Sequence, residues 1–168
     1  VIVPFDGHYI KADYEAEIEH FVKFPQENER NQYFKSEAAF NFTDLYIKMN
    51  ENLTHTSSRS GTTFTERIPR LENEAETALG YRWNRFTLEG GYGNFYRSFD
   101  TSAQKHLNYG TNEWSSTLFM DLTAKTKIFV DYDFTTYDYF KDDSRDGMGH
   151  QISGGMEGTL FPKTTLYW

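Results

Sequence analysis

From Ile10 to Phe24 the chain changes chemical character at almost every step. Even positions carry Ile10, Ala12, Tyr14, Ala16, Ile18, His20, Val22 and Phe24, and odd positions carry Lys11, Asp13, Glu15, Glu17, Glu19, Phe21 and Lys23. An extended strand sends successive side chains to opposite faces, so this segment predicts one nearly apolar face and one charged face. Wound as a helix, the same residues would scatter both classes around the axis. The pattern demands a strand.

The alternation recurs down the chain. Phe34, Ser36, Ala38, Phe40 and Phe42 oppose Lys35, Glu37 and Asn41, and Leu45, Ile47 and Met49 oppose Tyr46, Lys48 and Asn50. Ala75, Thr77, Leu79, Tyr81 and Trp83 oppose Glu72, Glu74, Glu76 and Arg82, and Ile128, Val130, Tyr132 and Phe134 oppose Lys127, Asp131 and Asp133. Similar runs begin at Phe86, Glu113 and Gln151. Two kinds of connection separate them. Tight turns follow Phe5, Phe42, Trp83, Leu122 and Leu160, which are 37, 41, 39 and 38 residues apart. Longer polar links span Pro25–Asn31, Thr54–Pro69, Ser98–Lys105 and Lys141–Gly149. One strand–link–strand–turn unit therefore repeats about every 40 residues.

Short turns at one end and longer links at the other are the construction of an up-and-down outer-membrane barrel, with the turns periplasmic. Aromatic residues fall at two heights on the apolar face. Phe42, Tyr81, Trp83 and Phe86 sit beside the short turns, while Phe34, Trp114 and Phe134 lie about eight residues further along. At a tilt near 45° that separation rises roughly 19 Å, against the ~25 Å between lipid-facing aromatic girdles. Composition agrees: 18% of residues are aromatic, yet mean hydropathy is −0.73, as a wall with one greasy and one wet face requires. A soluble sandwich or lipocalin-like barrel also alternates, with its rings turned inward. Against it stand strands of about 12 to 15 residues, the strict alternation of link lengths, and an apolar face too rich in Ala, Gly, Ser and Thr to pack a dry core.

The expected architecture is thus all-β, an antiparallel up-and-down transmembrane barrel. Residues 1–168 form one barrel domain or part of one, with about eight full strands and partial strands at the ends. The partial strands lead us to expect a portion of a larger barrel.

The segment Leu122 to Tyr139, with its Leu-x-x-Lys-Thr-x-Ile-Phe start repeated at Leu160–Tyr167, resembles the beta-barrel porin 2 family. So do Asp142–Asp146, His150–Gly158 and the Glu76–Tyr96 hairpin, and the resemblance extends over about residues 30–168. It implies a bacterial outer-membrane barrel, often linked to exopolysaccharide export. It carries over no catalytic or binding residue.

The predicted working surface is the polar face, where alternation places Asp13, Glu15, Glu17, Glu19, Glu72, Glu74, Glu76, Asp131 and Asp133. Lining a pore, these carboxylates would concentrate cations and repel anions; on any wet sheet, cations on adjacent strands could simply balance them. A glycosidase needs two carboxyls at a set separation, one in an apolar pocket, and these are many and wet. The net charge of −8 disfavours nucleic acid. With no cysteine there is no thiolate chemistry, and His55, His106 and His150, all near the link end, offer at most a rim metal site. The Asp142–Gly147 segment lacks a calcium loop's ligand spacing. The expectation is therefore a porin-like conduit and not an enzyme, without cofactor or metal. Its partners are outer-membrane lipid, including the lipopolysaccharide leaflet, and a hydrophilic solute such as a polysaccharide. A structural barrel with partner-binding loops and a soluble binding barrel remain alternatives.

Overall fold

Long extended segments joined by links too short to cross a sheet can only fold back beside one another, so neighbours pair antiparallel. The computed structural model describes residues 1–25, 28–58, 67–161 and 164–167. Ten strands follow one another in chain order within a single antiparallel sheet. They are β1 (Ile2–Phe5), β2 (His8–Glu19), β3 (Glu29–Asn41), β4 (Leu45–Thr56), β5 (Arg70–Trp83), β6 (Phe86–Phe99), β7 (Tyr109–Thr123), β8 (Thr126–Tyr139), β9 (Gly147–Phe161) and β10 (Thr164–Tyr167). Among the described residues 3-10 turns form at Lys105–Leu107 and Asp143–Arg145, and Pro25 is also in 3-10 conformation. β1 and β10 do not pair with each other, so the sheet is open.

The first turn is built on backbone that favours glycine: Asp6 has φ 43° and Gly7 φ 81°, the paired left-handed conformation of a two-residue hairpin loop. Other boundaries differ from the sequence expectation. Extended structure ends at Glu19, not Phe24. There Asn28 intervenes: its side-chain oxygen accepts a bond from the Phe21 amide at 2.7 Å, and its nitrogen lies 3.1 Å from the His20 ring. A side-chain amide that satisfies the backbone locally removes the need for a strand partner. The link after β8, residues 140–146, is shorter than predicted because extended structure resumes at Gly147, whereas the links after β2 and β6, residues 20–28 and 100–108, are slightly longer than predicted and shifted along the chain. Parts of the Pro25–Asn31 and Thr54–Pro69 links and of the Leu160–Lys163 turn, together with Trp168, lie outside the described residues.

Register sets the shape. Leu45, beside the second turn, pairs with Tyr81, two residues short of Trp83 at the third. Phe86 pairs with Met120, three short of Thr123, and Thr126 pairs with Gly158, three short of Phe161. The opposite end steps the same way: Tyr109 pairs with Arg97, two residues inside Phe99, and Gly147 with Tyr137, two inside Tyr139. A shift of slightly more than one residue per strand, at about 3.3 Å along and 4.8 Å across, tilts the strands by roughly 35–40° from the line on which the turns lie. From β2 to β9 the sheet is a sheared parallelogram of nearly constant height.

Directly paired residues share a face, so the register also sorts the side chains. One face carries the row Leu45–Tyr81–Leu88–Leu118–Val130 and the row Met49–Thr77–Tyr92–Trp114–Phe134–His150. Of the large apolar side chains standing exposed in β2–β9, among the described residues, only Tyr137 lies on the other face. Burial falls on that other, polar face: Glu29, Asn31, Tyr46, Thr56, Arg70 and Phe99 are all under 9% exposed. Without a second layer, a sheet crowds one face by curving toward it, and at the link end Ser58 and Arg67 also lie against it. The polar face is concave and the apolar face convex.

Candidate functional site

The concave face gathers the acids. Its floor carries several hollows, one of about 320 Å³ bordered by Asp13, Lys35, Glu37, Asn50, Glu74 and Glu76. A neighbouring hollow of about 230 Å³ runs past Glu76, Glu89, Gly93 and Glu113. All nine acids predicted for a lumen stand on this face, on β2, β5 and β8. The register does not merge them into one cluster, because two other strands separate each set from the next.

Their surroundings divide them. Lys11 meets Asp13 at 3.1 Å. Glu72 is gripped by the Nε atoms of Arg70 and Arg97, each at 2.8 Å. Glu17 accepts a bond from the Asn31 amide at 3.1 Å. Asp131 accepts from Thr117 at 2.6 Å and Ser153 at 3.5 Å, both neutral donors. Among the described residues no cation pairs with Glu15, Glu19, Glu74, Glu76, Asp131 or Asp133. Glu113, outside the predicted set, is likewise without a cation and faces Glu76 across Gly93, whose missing side chain leaves the gap between them open. Glu37, Glu89 and Glu157 share the face, but Glu37 accepts from the Tyr9 hydroxyl, Glu89 lies 3.7 Å from Lys48, and Glu157 pairs with Lys127 at 3.0 Å.

The convex face carries the predicted girdle residues. Tyr81, Trp83 and Phe86 stack beside the third short turn, with ring centroids 6.1 and 5.9 Å apart. Phe42 meets the His8 ring at 5.2 Å by the second turn. Farther along, Tyr92, Trp114, Phe134 and His150 make a ladder across four strands at 5.7, 5.5 and 4.8 Å. Phe34 shares this face, paired between Tyr14 and Leu53. Trp114 and Phe134 lie eight or nine residues from the short turn, which at the observed tilt is about 21–23 Å of height. The three histidines at the link end do not converge. His55 meets Asp100 at 3.1 Å, His150 belongs to the ladder, and His106 sits in a 3-10 turn. Asp142 and Asp146 bond within their own link, accepting from the Ser144 hydroxyl at 2.5 Å and the Tyr139 amide at 2.7 Å.

The concave face also carries rings, of which the sequence alternation sets only Tyr46 opposite the apolar row. Phe95, Tyr109, Tyr137 and Tyr139 lie on the concave face near the long links, and Tyr46, Phe119 and Phe129 near the short turns. Position parity with Asp131 and Asp133 assigns Tyr137 and Tyr139 to that face, so the alternation itself carries the signal. Tyr46 lies flat over Gly80, where any Cβ would collide with its ring. Its hydroxyl donates to Glu89, and Lys48 and Arg82 sit 4.8 and 4.7 Å from its centroid.

No family model matches the chain, and no curated protein or solved structure is significantly similar to it.

Proposed function

We propose that this chain is wall of a bacterial outer-membrane β-barrel, with lipid against its convex face and a hydrophilic solute passing along its concave acidic face. One observation carries the proposal: large apolar side chains stand exposed from strand to strand on the outside of a curved, sheared sheet. Tyr81, Leu118 and Val130 are 48, 42 and 59% exposed, the reverse of what a soluble binding barrel with an apolar interior needs. Such a band exceeds what a soluble surface tolerates, and moving each large side chain into hydrocarbon is worth about 1.5–3 kcal/mol. The tilt of roughly 35–40° and the two aromatic levels suit a bilayer-spanning wall. On the loop side, the lipopolysaccharide leaflet would meet the upper ladder.

The uncompensated carboxylates make the pathway cation-attracting and hostile to anions. Its solute is therefore neutral or cationic and hydrophilic, and the resemblance to porin 2 barrels suggests a polysaccharide. The chain acts as conduit, not catalyst. A scaffold barrel with a narrowed lumen is the second reading, favoured by Ser58 and Arg67 lying inward against Glu29. Planar-bilayer recording separates the two, since the scaffold predicts no conductance steps.

The membrane assignment has its own test. Val130→Arg places a charge in the apolar band and should cost about 2–4 kcal/mol of folding stability in bilayers. In a soluble protein an exposed site of this kind changes stability by about 0.5 kcal/mol or less. Folding titrations in lipid vesicles decide; a small effect there discards the membrane reading.

A further inference from the structure

Wet sheet faces rarely carry rows of rings, because an aromatic surface left in water forgoes its transfer free energy. The concave face has such a row at its link end, on three adjacent strands. Phe95 of β6 and Tyr109 of β7 have centroids 5.6 Å apart, and Tyr109 and Tyr139 of β8 stack at 5.4 Å with planes 27° apart. The Arg97 guanidinium lies 5.3 and 5.4 Å from the Phe95 and Tyr109 centroids, and that of Arg145 lies 4.1 Å from Tyr139. Tyr137, next on the same face, is 44% exposed. The hydroxyls of Tyr109, Tyr137 and Tyr139 make no hydrogen bond among the described residues, and none is a buried orphan. Rings that served only to anchor the links would turn their hydroxyls to backbone partners, as the Asn28 amide does at the β2–β3 link.

We infer that Phe95, Tyr109, Tyr137 and Tyr139 form a docking strip for an uncharged saccharide chain at the link-side mouth of the concave face. Sugar rings present faces of weakly positive C–H groups, which lie against the negative face of an aromatic ring, while their hydroxyls reach phenol oxygens and guanidinium donors. Charge selects against acidic sugars. Arg97 is already paired with Glu72 at 2.8 Å, whereas Glu74, directly opposite Phe95, and Glu113 deeper on β7 have no cation among the described residues. An anionic chain leaving the strip would run onto bare carboxylates. Because the strip faces away from the apolar band, lipid-linked sugars in the bilayer do not reach it. The inference deepens the conduit reading and rests on it for the solute's direction of travel, but binding can be measured without conduction.

The full chain, folded in detergent micelles, is titrated with maltohexaose and with a galacturonate hexamer of equal length. Calorimetry gives affinity, and saturation-transfer NMR identifies the sugar protons in contact. Maltohexaose should bind with transfer to its C–H protons, and the acidic hexamer at least about tenfold more weakly. Tyr137→Ala should weaken maltohexaose binding about three- to tenfold, the range of one aromatic stacking contact, while Tyr137→Phe stays within about threefold of wild type. Tyr137→Leu keeps apolar volume without the π-face and should behave as Ala does, which removes misfolding as an explanation. Absence of maltohexaose binding, a Leu variant that binds as tightly as wild type, or tighter binding of the acidic hexamer overturns the strip. Conduction without sugar binding removes the strip and leaves the conduit; sugar binding without conduction does the reverse.

Discussion

Two stretches of the same concave face treat charge in opposite ways. At the link end of β3–β5, Glu29, Asn31, Thr56 and Arg70 are buried and partnered: Asn31 donates to Glu17, Glu29 and Ser58 and accepts from Thr56 and Ser57, and Arg67 meets Glu29. A few residues along, Glu74, Glu76, Glu113, Asp131 and Asp133 stand without a cation among the described residues. Buried polar groups are tolerated only when satisfied, so the first stretch has to be a closed network. The second is wet, and its like charges cost stability that nothing nearby recovers. Charge retained at a cost to the fold is where solute handling should be sought, while the paired network holds the wall together.

The largest expected effect tests the closed network. Asn31→Ala should lower stability by about 3 kcal/mol, because it leaves the Thr56 hydroxyl and the Ser57 amide without their acceptor and takes one donor from Glu29. The urea midpoint of vesicle-folded protein reports this, and ion selectivity should stay unchanged. A shift under about 1 kcal/mol would mean that water satisfies the cluster and that the two stretches do not differ in kind.

At the short-turn end, Gly80→Ala should cost about 1–3 kcal/mol by forcing the Tyr46 ring off its seat and away from Glu89. Pairing it with Tyr46→Ala tests the mechanism, since the Gly80 substitution should then cost much less. Additive losses in that double-mutant cycle would break the assignment.

The smallest effect on stability, and the most telling one, belongs to the unpaired acids. Replacing Glu74, Glu76 and Glu113 together by Gln should leave stability within about 0.5 kcal/mol of wild type or raise it. The same triple variant should lower the cation-to-anion permeability ratio by a factor of a few, read from reversal potentials in a salt gradient. Lost stability with intact selectivity would make these carboxylates structural and erase the contrast.

Much of this was legible before any coordinates. A period of two assigns each strand residue to a face without reference to its neighbours, so Glu74, Asp131, Trp114 and Val130 could be placed from the chain alone. The repeat of turn anchors likewise dictated hairpin order. Strand ends were less legible. Glu19 ends β2 because Asn28 folds back on Phe21 and His20, a contact between residues seven and eight apart that no alternation records. The rings of the concave face follow the same parity, since Tyr109, Tyr137 and Tyr139 fall on the odd positions that carry Glu113, Asp131 and Asp133.

What the chain could not state by itself is which charges are paired. Glu72 and Glu74 are neighbours on one face of one strand; Arg70, two residues before Glu72, is visible in the chain, but that Arg97 from the next strand also meets Glu72, and not Glu74, is not. The stagger between hairpins is also a relation among strands, and it alone turns a list of amphipathic segments into a tilted wall. Alternation is a property of one backbone and travels with the sequence. Pairing and curvature arise between backbones, where register decides who meets whom.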